Sequence, residues 1–285
     1  MFDRILVPTD RSDPARRALE HAADLANRYE ATVYVLHVVD ARELDDDQEV
    51  DDRKRASRAE TDDSLEGIEF EEVPKTAIRA GVPSEEILAF ADESGSDVIV
   101  MGTHGRTGLR RYLLGSVAEK VVRLSDVPVL TVHPTDDDVG SIPYERILVP
   151  TDGSEGSEAA IAAATDLATH YGATLHGLSV VDTTVMAPEI QFDRIADELH
   201  VRASDAVERV ATAAAESGVE GTETAVMEGR PYDAIRTYAD ENEIDLVVMG
   251  THGRSGIDRY LLGSVAEKVV RTSTVPVLTV RMSGE

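Results

Sequence analysis

Residues 98–120 read VIVMGTHGRTGLRRYLLGSVAEK, and residues 246–268 read LVVMGTHGRSGIDRYLLGSVAEK. Each copy runs from a short apolar stretch, Val98–Met101 or Leu246–Met249, through the spacing Gly-x2-Gly-x9-Gly-Ser into a helical pattern. A strand, a glycine loop and a helix start in that order bring unpaired backbone N–H groups to one place, where an anion can meet them. Working outward, segments 98–132 and 246–280 match at 28 of 35 positions without a gap. Asp3–Asp10 (DRILVPTD) matches Glu145–Asp152 (ERILVPTD) upstream. The offset is 142 residues at the entry strand and 148 at the glycine loop, so the second copy has six extra residues between them. A period of that size exceeds solenoid repeats and suits a whole domain per copy. Domains over 1–134 and 145–285 are expected, with the boundary in the polar stretch Pro134–Pro143.

Within each copy, strands alternate with helices. The first reads as strand 4–9, helix from Ser12, strand 31–39, helix within 45–66, strand 77–80, helix 84–94, strand 98–101, helix 116–124 and strand 127–132. In the helix within 45–66, the apolar stripe is Val50, Ala56, Ala59 and Leu65; the counterpart over 189–217 carries more anchors. Alternation of this kind implies right-handed β-α-β units, so the expected class is α/β. The expected architecture is two tandem doubly wound five-stranded parallel sheets of order 3-2-1-4-5, with helices on both faces. Ligands bind such sheets at the C-terminal strand ends, near the topological switch point. Asp10 and Asp152 end the first strands there, beside the glycine loops.

The glycine loop supports two readings. Gly102 and Gly250 would let a ribose or phosphate come close as the chain leaves its strand, and Gly115 and Gly263 would thin the start of the next helix. Ser264-Val265-Ala266-Glu267 also reads as a capping box, which would satisfy the helix amides from within the chain. His104 and His252 lie inside the loops, near any ligand or bonded to backbone. His37 reads as structural. Ser116 and Ser264 have no base partner in sequence, so neither reads as a nucleophile. No His, Asp and Glu set has metal-ligand spacing.

Composition narrows the function classes. The formal net charge is −27, from 55 acidic and 28 basic residues, and only Lys54, Lys75, Lys120 and Lys268 are lysines. Nucleic-acid binding needs a basic footprint, which this chain lacks. Cysteine is absent, which excludes disulfides and thiolate metal sites. No apolar run approaches a membrane span and no signal peptide opens the sequence, so a cytoplasmic protein is expected. The acidic residues are dispersed, a composition that resembles proteins of salt-accumulating, halophilic microbes. At about 1 M salt the Debye length is about 3 Å, and neighbouring carboxylates cease to repel. The thermal unfolding midpoint should therefore climb as KCl rises from low to molar concentration; a flat or falling midpoint would overturn the salt reading.

These residues together resemble the universal stress protein family. The resemblance rests on the glycine spacing, Met249–Gly256, Leu261–Ser264, Pro150–Ser154 and the terminal Val275–Val280, and it covers essentially the whole chain. It implies an ATP-binding stress-response protein in which ATP, or a related adenine nucleotide, acts as a conformational or regulatory ligand, with Mg²⁺ held through the phosphates. Asp152, beside Pro150 and Thr151, would meet the ribose or adenine end. Val180, Met249 and Gly250 would line the adenosine pocket. Gly253, Gly263, Ser264 and Val265 would hold phosphates, with Arg254 and His252 nearby. The matching first-copy positions are Pro8, Thr9, Asp10, Val38, Met101, Gly102, His104, Gly105, Arg106, Gly115, Ser116 and Val117. The first copy departs where Gly153–Ser157 becomes Arg11-Ser12-Asp13-Pro14-Ala15; Arg11 would obstruct the crevice or add a phosphate contact. The alternatives are an adenine-nucleotide hydrolase-type enzyme, at most slow on ATP here, and a nucleotide-free signalling module. Each final strand would be an apolar sheet edge, which invites pairing. An intramolecular pseudo-dimer through these strands is therefore expected, with further homo-oligomers open to other faces.

Overall fold

The computed structural model describes residues 1–43, 47–103, 114–133, 142–183, 192–252 and 262–281. The chain divides into two units, Met1–Asp137 and Asp138–Glu285. Among the described residues, no helix is long and apolar enough to cross a membrane.

Unit 1 comprises β1 (Arg4–Pro8), α1 (Asp13–Tyr29), β2 (Thr32–Asp40), α2 (Asp47–Asp63), β3 (Lys75–Gly81), α3 (Pro83–Ser94), β4 (Val98–Gly102), α4 (Ser116–Leu124) and β5 (Val129–Val132). All its strand pairs are parallel and the order is β3-β2-β1-β4-β5. Unit 2 repeats the plan with β6 (Arg146–Pro150), α5 (Glu155–Tyr171), β7 (Thr174–Val181), α6 (Phe192–Glu216), β8 (Gly221–Glu228), α7 (Pro231–Glu241), β9 (Leu246–Gly250), α8 (Ser264–Thr272) and β10 (Val277–Val280). Its order is β8-β7-β6-β9-β10, again parallel. The expected fold class and strand order hold in both.

The central strands have no polar alternation because both faces are covered. Ile5, Leu6, Val7, Val98, Ile99 and Val100 are fully buried, as are Ile147, Leu148, Val149, Leu246 and Val248 to within 1%. One carboxylate pins the strand starts in each unit. Asp97 Oδ2 accepts from the amides of Asp3 and Arg4 at 2.9 Å. Asp245 Oδ2 accepts from Glu145 and Arg146 at 3.0 and 2.8 Å. These locks sit at the N-terminal strand ends and leave the opposite ends for ligands.

The second helices differ from the sequence pattern in one respect. In α2 the buried residues are Ser57 and Thr61, while Ala56 and Ala59 of the expected stripe are exposed and Val50 and Leu65 only half-buried. Thr61 stays inside because its Oγ1 donates to the Ser57 carbonyl at 2.7 Å, satisfying the hydroxyl within the helix. In α6 the buried face is apolar: Ala203, Ala206, Val207, Val210 and Ala214. The small residue opposite has a packing reason, since a Cβ on Gly177 of β7 would stand 3.0 Å from Val210.

His21 is buried on α1, where burial, with Arg17 beside it, pulls its pKa down to about 4. The unfolded chain binds this proton near pH 6.5, so it takes up the proton before the folded chain does. The stability contributed by neutral His21 is thus complete above about pH 6.5, is lost as pH falls towards 4, and is gone below it. A difference of that size corresponds to about 3 kcal/mol. Urea unfolding between pH 7 and pH 4 should show His21→Leu losing less stability than the wild type. Parallel losses in both proteins would refute the assignment.

Candidate functional site

At the C-terminal end of β6, Thr151 and Asp152 build a tight turn from their own side chains. Thr151 Oγ1 accepts from the Gly153 amide at 3.1 Å, and Asp152 Oδ1 accepts from the Ser154 amide at 3.0 Å and from Ser157 Oγ at 2.7 Å. Such short polar side chains make turns by bonding to backbone two residues on. Gly153 occupies the left-handed region, with φ 72°. Unit 1 makes the same turn with different residues. Arg11 donates its amide to Thr9 Oγ1 at 3.1 Å, and Ser12 donates both amide and hydroxyl to Asp10 Oδ1, at 3.1 and 2.5 Å. Arg11 takes the left-handed conformation of Gly153, with φ 65°. Its guanidinium goes to Glu60 on α2, Nη1 to Oε2 2.5 Å, and it does not line the crevice. In unit 2 the contact is reversed: Arg209 of α6 reaches Glu158 of α5 at 2.8 Å.

The glycines that end β4 and β9 line the crevice, and behind it the first helix of each unit also requires their small size. A Cβ on Gly250 would stand 2.6 Å from the Gly156 carbonyl oxygen of α5, and one on Gly156 would stand 2.3 Å from the His252 carbonyl oxygen. In unit 1 a Cβ on Gly102 would meet the Pro14 backbone of α1 at 2.8 Å. The fold thus makes its own demand for glycine at these two positions, beside their place in the lining of the cavities. They let the first helix of each unit pack against the end of the fourth strand.

The capping box is corrected. The N-cap of α8 is Gly263 (φ −59°, ψ 142°) and that of α4 is Gly115 (φ −62°, ψ 146°), so Ser264 and Ser116 are the first helical residues. Neither helix has a side-chain cap. Gly263 donates its amide to the Thr251 carbonyl at 2.8 Å, and Gly115 does the same to Thr103 at 2.7 Å. Glu267 pairs with Arg271 instead, Oε1 to Nη2 3.2 Å. Among the described residues no cap side chain covers the amides in the opening turn of each helix, at the positive end of the helix dipole.

Both helix starts open into a cavity. In unit 2 it measures about 440 Å³ and in unit 1 about 370 Å³, within the usual range of small-molecule sites. The unit 2 cavity brings together every described residue expected from sequence: Pro150, Thr151 and Asp152 from β6 and its turn, Val180 from β7, Met249, Gly250 and His252 around the end of β9, and Gly263, Ser264 and Val265 at α8. In unit 1 the set is Pro8, Thr9, Asp10, Val38, Met101, Gly102, Gly115, Ser116 and Val117. His104, Gly105, Arg106, Gly253 and Arg254 lie outside the described residues. His252 Nδ1 lies 3.0 Å from Thr251 Oγ1. His37 faces the other side of β2, buried, with Nδ1 2.8 Å from the Thr9 carbonyl oxygen, which is the structural role expected.

Two groups of lining residues escaped the sequence reading. Pro83 and Ile87 of α3, like Pro231 and Ile235 of α7, form one wall. Asp40, at the end of β2, and Asp182, just after β7, follow Val38 and Val180 at a spacing of two and line the same cavities. The strand period of two was the available signal for these carboxylates.

Comparison with known proteins shows the family and the fold. The model of the universal stress protein family matches residues 1–133 and again 143–281. A universal stress protein of Methanocaldococcus jannaschii is 36% identical over 140 residues, 46% of this chain and 82% of that one. A solved universal stress protein from Archaeoglobus fulgidus covers 100% of both chains with a TM-score of 0.74 at 24% identity, a likeness of fold. Another solved universal stress protein, in complex with cAMP, is 31% identical and covers 48% of this chain and 97% of that one, with a TM-score of 0.38. Matched over nearly its whole length, once in each unit, the chain belongs to the universal stress protein family as a tandem two-domain member.

Proposed function

We propose that this chain is a cytoplasmic, ATP-binding stress-response protein, each unit taking an adenine nucleotide as a regulatory ligand. The observation that carries this reading is a helix start without a side-chain cap, facing a cavity at the C-terminal strand ends. Unpaired amides at the positive end of a helix are a built anion site. The polyphosphate would lie against Gly263, Ser264 and Val265, or Gly115, Ser116 and Val117. The apolar side chains Val180, Ile235 and Met249 suit an adenine ring. Mg²⁺ would be held chiefly by phosphate oxygens and would neutralise their charge. That charge matters in a chain of net charge −27.

Mass spectrometry of small molecules released from the purified protein tests the reading, followed by calorimetric titration with MgATP. Recovered ATP or ADP, or saturable binding, supports it. Absence of both would leave a nucleotide-free module. Multiple-turnover phosphate release at seconds per cycle would favour the hydrolase-type enzyme instead. The pairing of the two final strands remains a proposal from sequence. Oxidative cross-linking of one cysteine placed in each, in this cysteine-free chain, would test it.

A further inference from the structure

Beneath the wall of the unit 2 cavity lies a buried histidine that the nucleotide reading does not use. The wall is α7, which brings Pro231 and Ile235 to the cavity. Tyr238 follows Ile235 by three residues, so the two share a helix face, and both are buried. Tyr238 rests on His176 of β7. Their rings stand edge to face with centroids 5.9 Å apart, and the phenol oxygen lies 3.1 Å from His176 Nδ1. His176 is 3% exposed, and among the described residues its Nε2 is buried with no hydrogen-bond partner.

A neutral imidazole suits this place. Tyr238 serves Nδ1 in either tautomer, because a hydroxyl both donates and accepts. An imidazolium does not suit it: both nitrogens then donate, Nε2–H has no acceptor, and a charge is buried. The charged and titratable groups around the ring are Tyr238 from α7, Glu223 from β8 with Oε2 3.8 Å from Nδ1, and Arg146 from β6. Helices α5 and α6 pack on each other over the opposite face, where Gly177 meets Val210. Glu223 is 63% exposed, so water and salt screen its attraction. Burial therefore outweighs Glu223 and pushes the His176 pKa below its ordinary value, with Arg146 adding to the fall. Burial also pushes the Tyr238 phenol up, with Glu223 adding to the rise, so it keeps its proton.

Unit 1 has the same frame without the titrating group. The positions of His176, Tyr238 and Glu223 are held there by Tyr34, Phe90 and Lys75. Tyr34 and Phe90 also stand edge to face at 5.9 Å, and Tyr34 pairs with Lys75 across the strands as His176 pairs with Glu223. Lys75 Nζ lies 5.2 Å from the centre of the Tyr34 ring. None of these three side chains changes charge between about pH 5 and pH 8.

We infer that His176 is an acid-sensitive latch for α7: neutral, it holds the cavity wall on the sheet, and protonated, it releases that wall in unit 2 alone. The stability that neutral His176 gives α7 is complete above about pH 6.5 and is lost as pH falls below it. Release withdraws Pro231 and Ile235 from the cavity, so a ligand there binds more weakly in acid. For MgATP this consequence rests on the nucleotide reading above. By linkage, a ligand that holds α7 down disfavours the proton on His176 by the same factor.

Hydrogen exchange of the ligand-free full chain, followed by mass spectrometry at about pH 7.5 and about pH 5, tests the latch. On acidification the protection factor of α7 should fall at least about fivefold more than that of α3. His176→Tyr combined with Tyr238→Phe gives unit 2 the unit 1 pair and should make the two helices respond alike. Equal responses of α7 and α3 in the wild type would overturn the inference, as would an α7 response that survives in the double variant. The comparison of helices is made within the wild type, so it decides the matter even if the variant does not fold. Calorimetric titration with MgATP at the same two pH values should show one site weakening at least about fivefold relative to the other. Equal weakening of both sites would overturn the coupling of latch to cavity. MgATP that binds at neither pH would overturn the nucleotide reading, while hydrogen exchange would still decide the latch.

Discussion

Gly156→Ala will destabilise unit 2 by about 1–3 kcal/mol, the usual cost of overpacking. The sign runs against helix propensity, because Ala is about 1 kcal/mol better than Gly inside a helix. Packing decides it. The added Cβ would lie 2.3 Å from the His252 carbonyl oxygen, and the Gly156 carbonyl oxygen is itself 2.6 Å from where a Cβ on Gly250 would stand. Neither contact ends in a flexible side chain; both are backbone. Relief requires α5 to retreat from β9, or the chain after β9 to shift into the cavity that His252 lines. The urea midpoint should therefore fall, and nucleotide affinity at unit 2 should fall with it. A more stable variant with unchanged binding would show that the close approach of α5 to β9 is not what makes glycine necessary there.

The same two glycines show where sequence is legible and where it is not. Strand order and the crevice followed from the alternation of elements and the duplicated glycine loop, because a parallel sheet admits few arrangements. Residues on that loop and on β6 came to the cavity as expected, since the C-terminal strand ends define the crevice whatever the side chains are. The reason for a glycine is a different kind of fact. Gly250 reads equally well as room for a ligand or for a helix, and the helix reason becomes visible only with the position of Gly156, 94 residues upstream. Ser264 with Glu267 fits a capping box by spacing, but the preceding residue, Gly263, is the cap, with its amide bound to the Thr251 carbonyl. That bond is tertiary and leaves no local trace. In α2, apolar residues suggested one buried face, yet Ser57 and Thr61 occupy it. The Thr61 hydroxyl can go inside because the helix backbone accepts its proton, and periodicity of apolar residues misses such a position. Asp182 lies two residues after Val180, a step that the strand period of two makes legible.

Ser264→Pro will weaken ATP binding at unit 2 by at least tenfold while leaving α8 folded. Ser264 is the first helical residue, where proline is tolerated because that N–H has no partner inside the helix. The residue before a proline must be extended, and Gly263 already is, with ψ 142°. The substitution therefore removes one amide donor and one hydroxyl from the anion site at little cost to the backbone. A hydrogen bond to a charged group contributes about 1.5–3 kcal/mol, equivalent to a tenfold loss or more. Ser264→Ala separates the two parts, since it deletes only the hydroxyl and should cost less. The loss should also grow with phosphate content, being larger for ATP than for adenosine, because the missing amide faces phosphate and not the base. Titration of the full chain then shows one weakened site beside an unaltered unit 1 site. If Ser264→Pro bound ATP as the wild type does at both sites, with circular dichroism unchanged, the helix start would not be the phosphate end of the cavity. The nucleotide would then have to lie in the opposite direction, with its phosphates towards Asp182, where two carboxylates would oppose it.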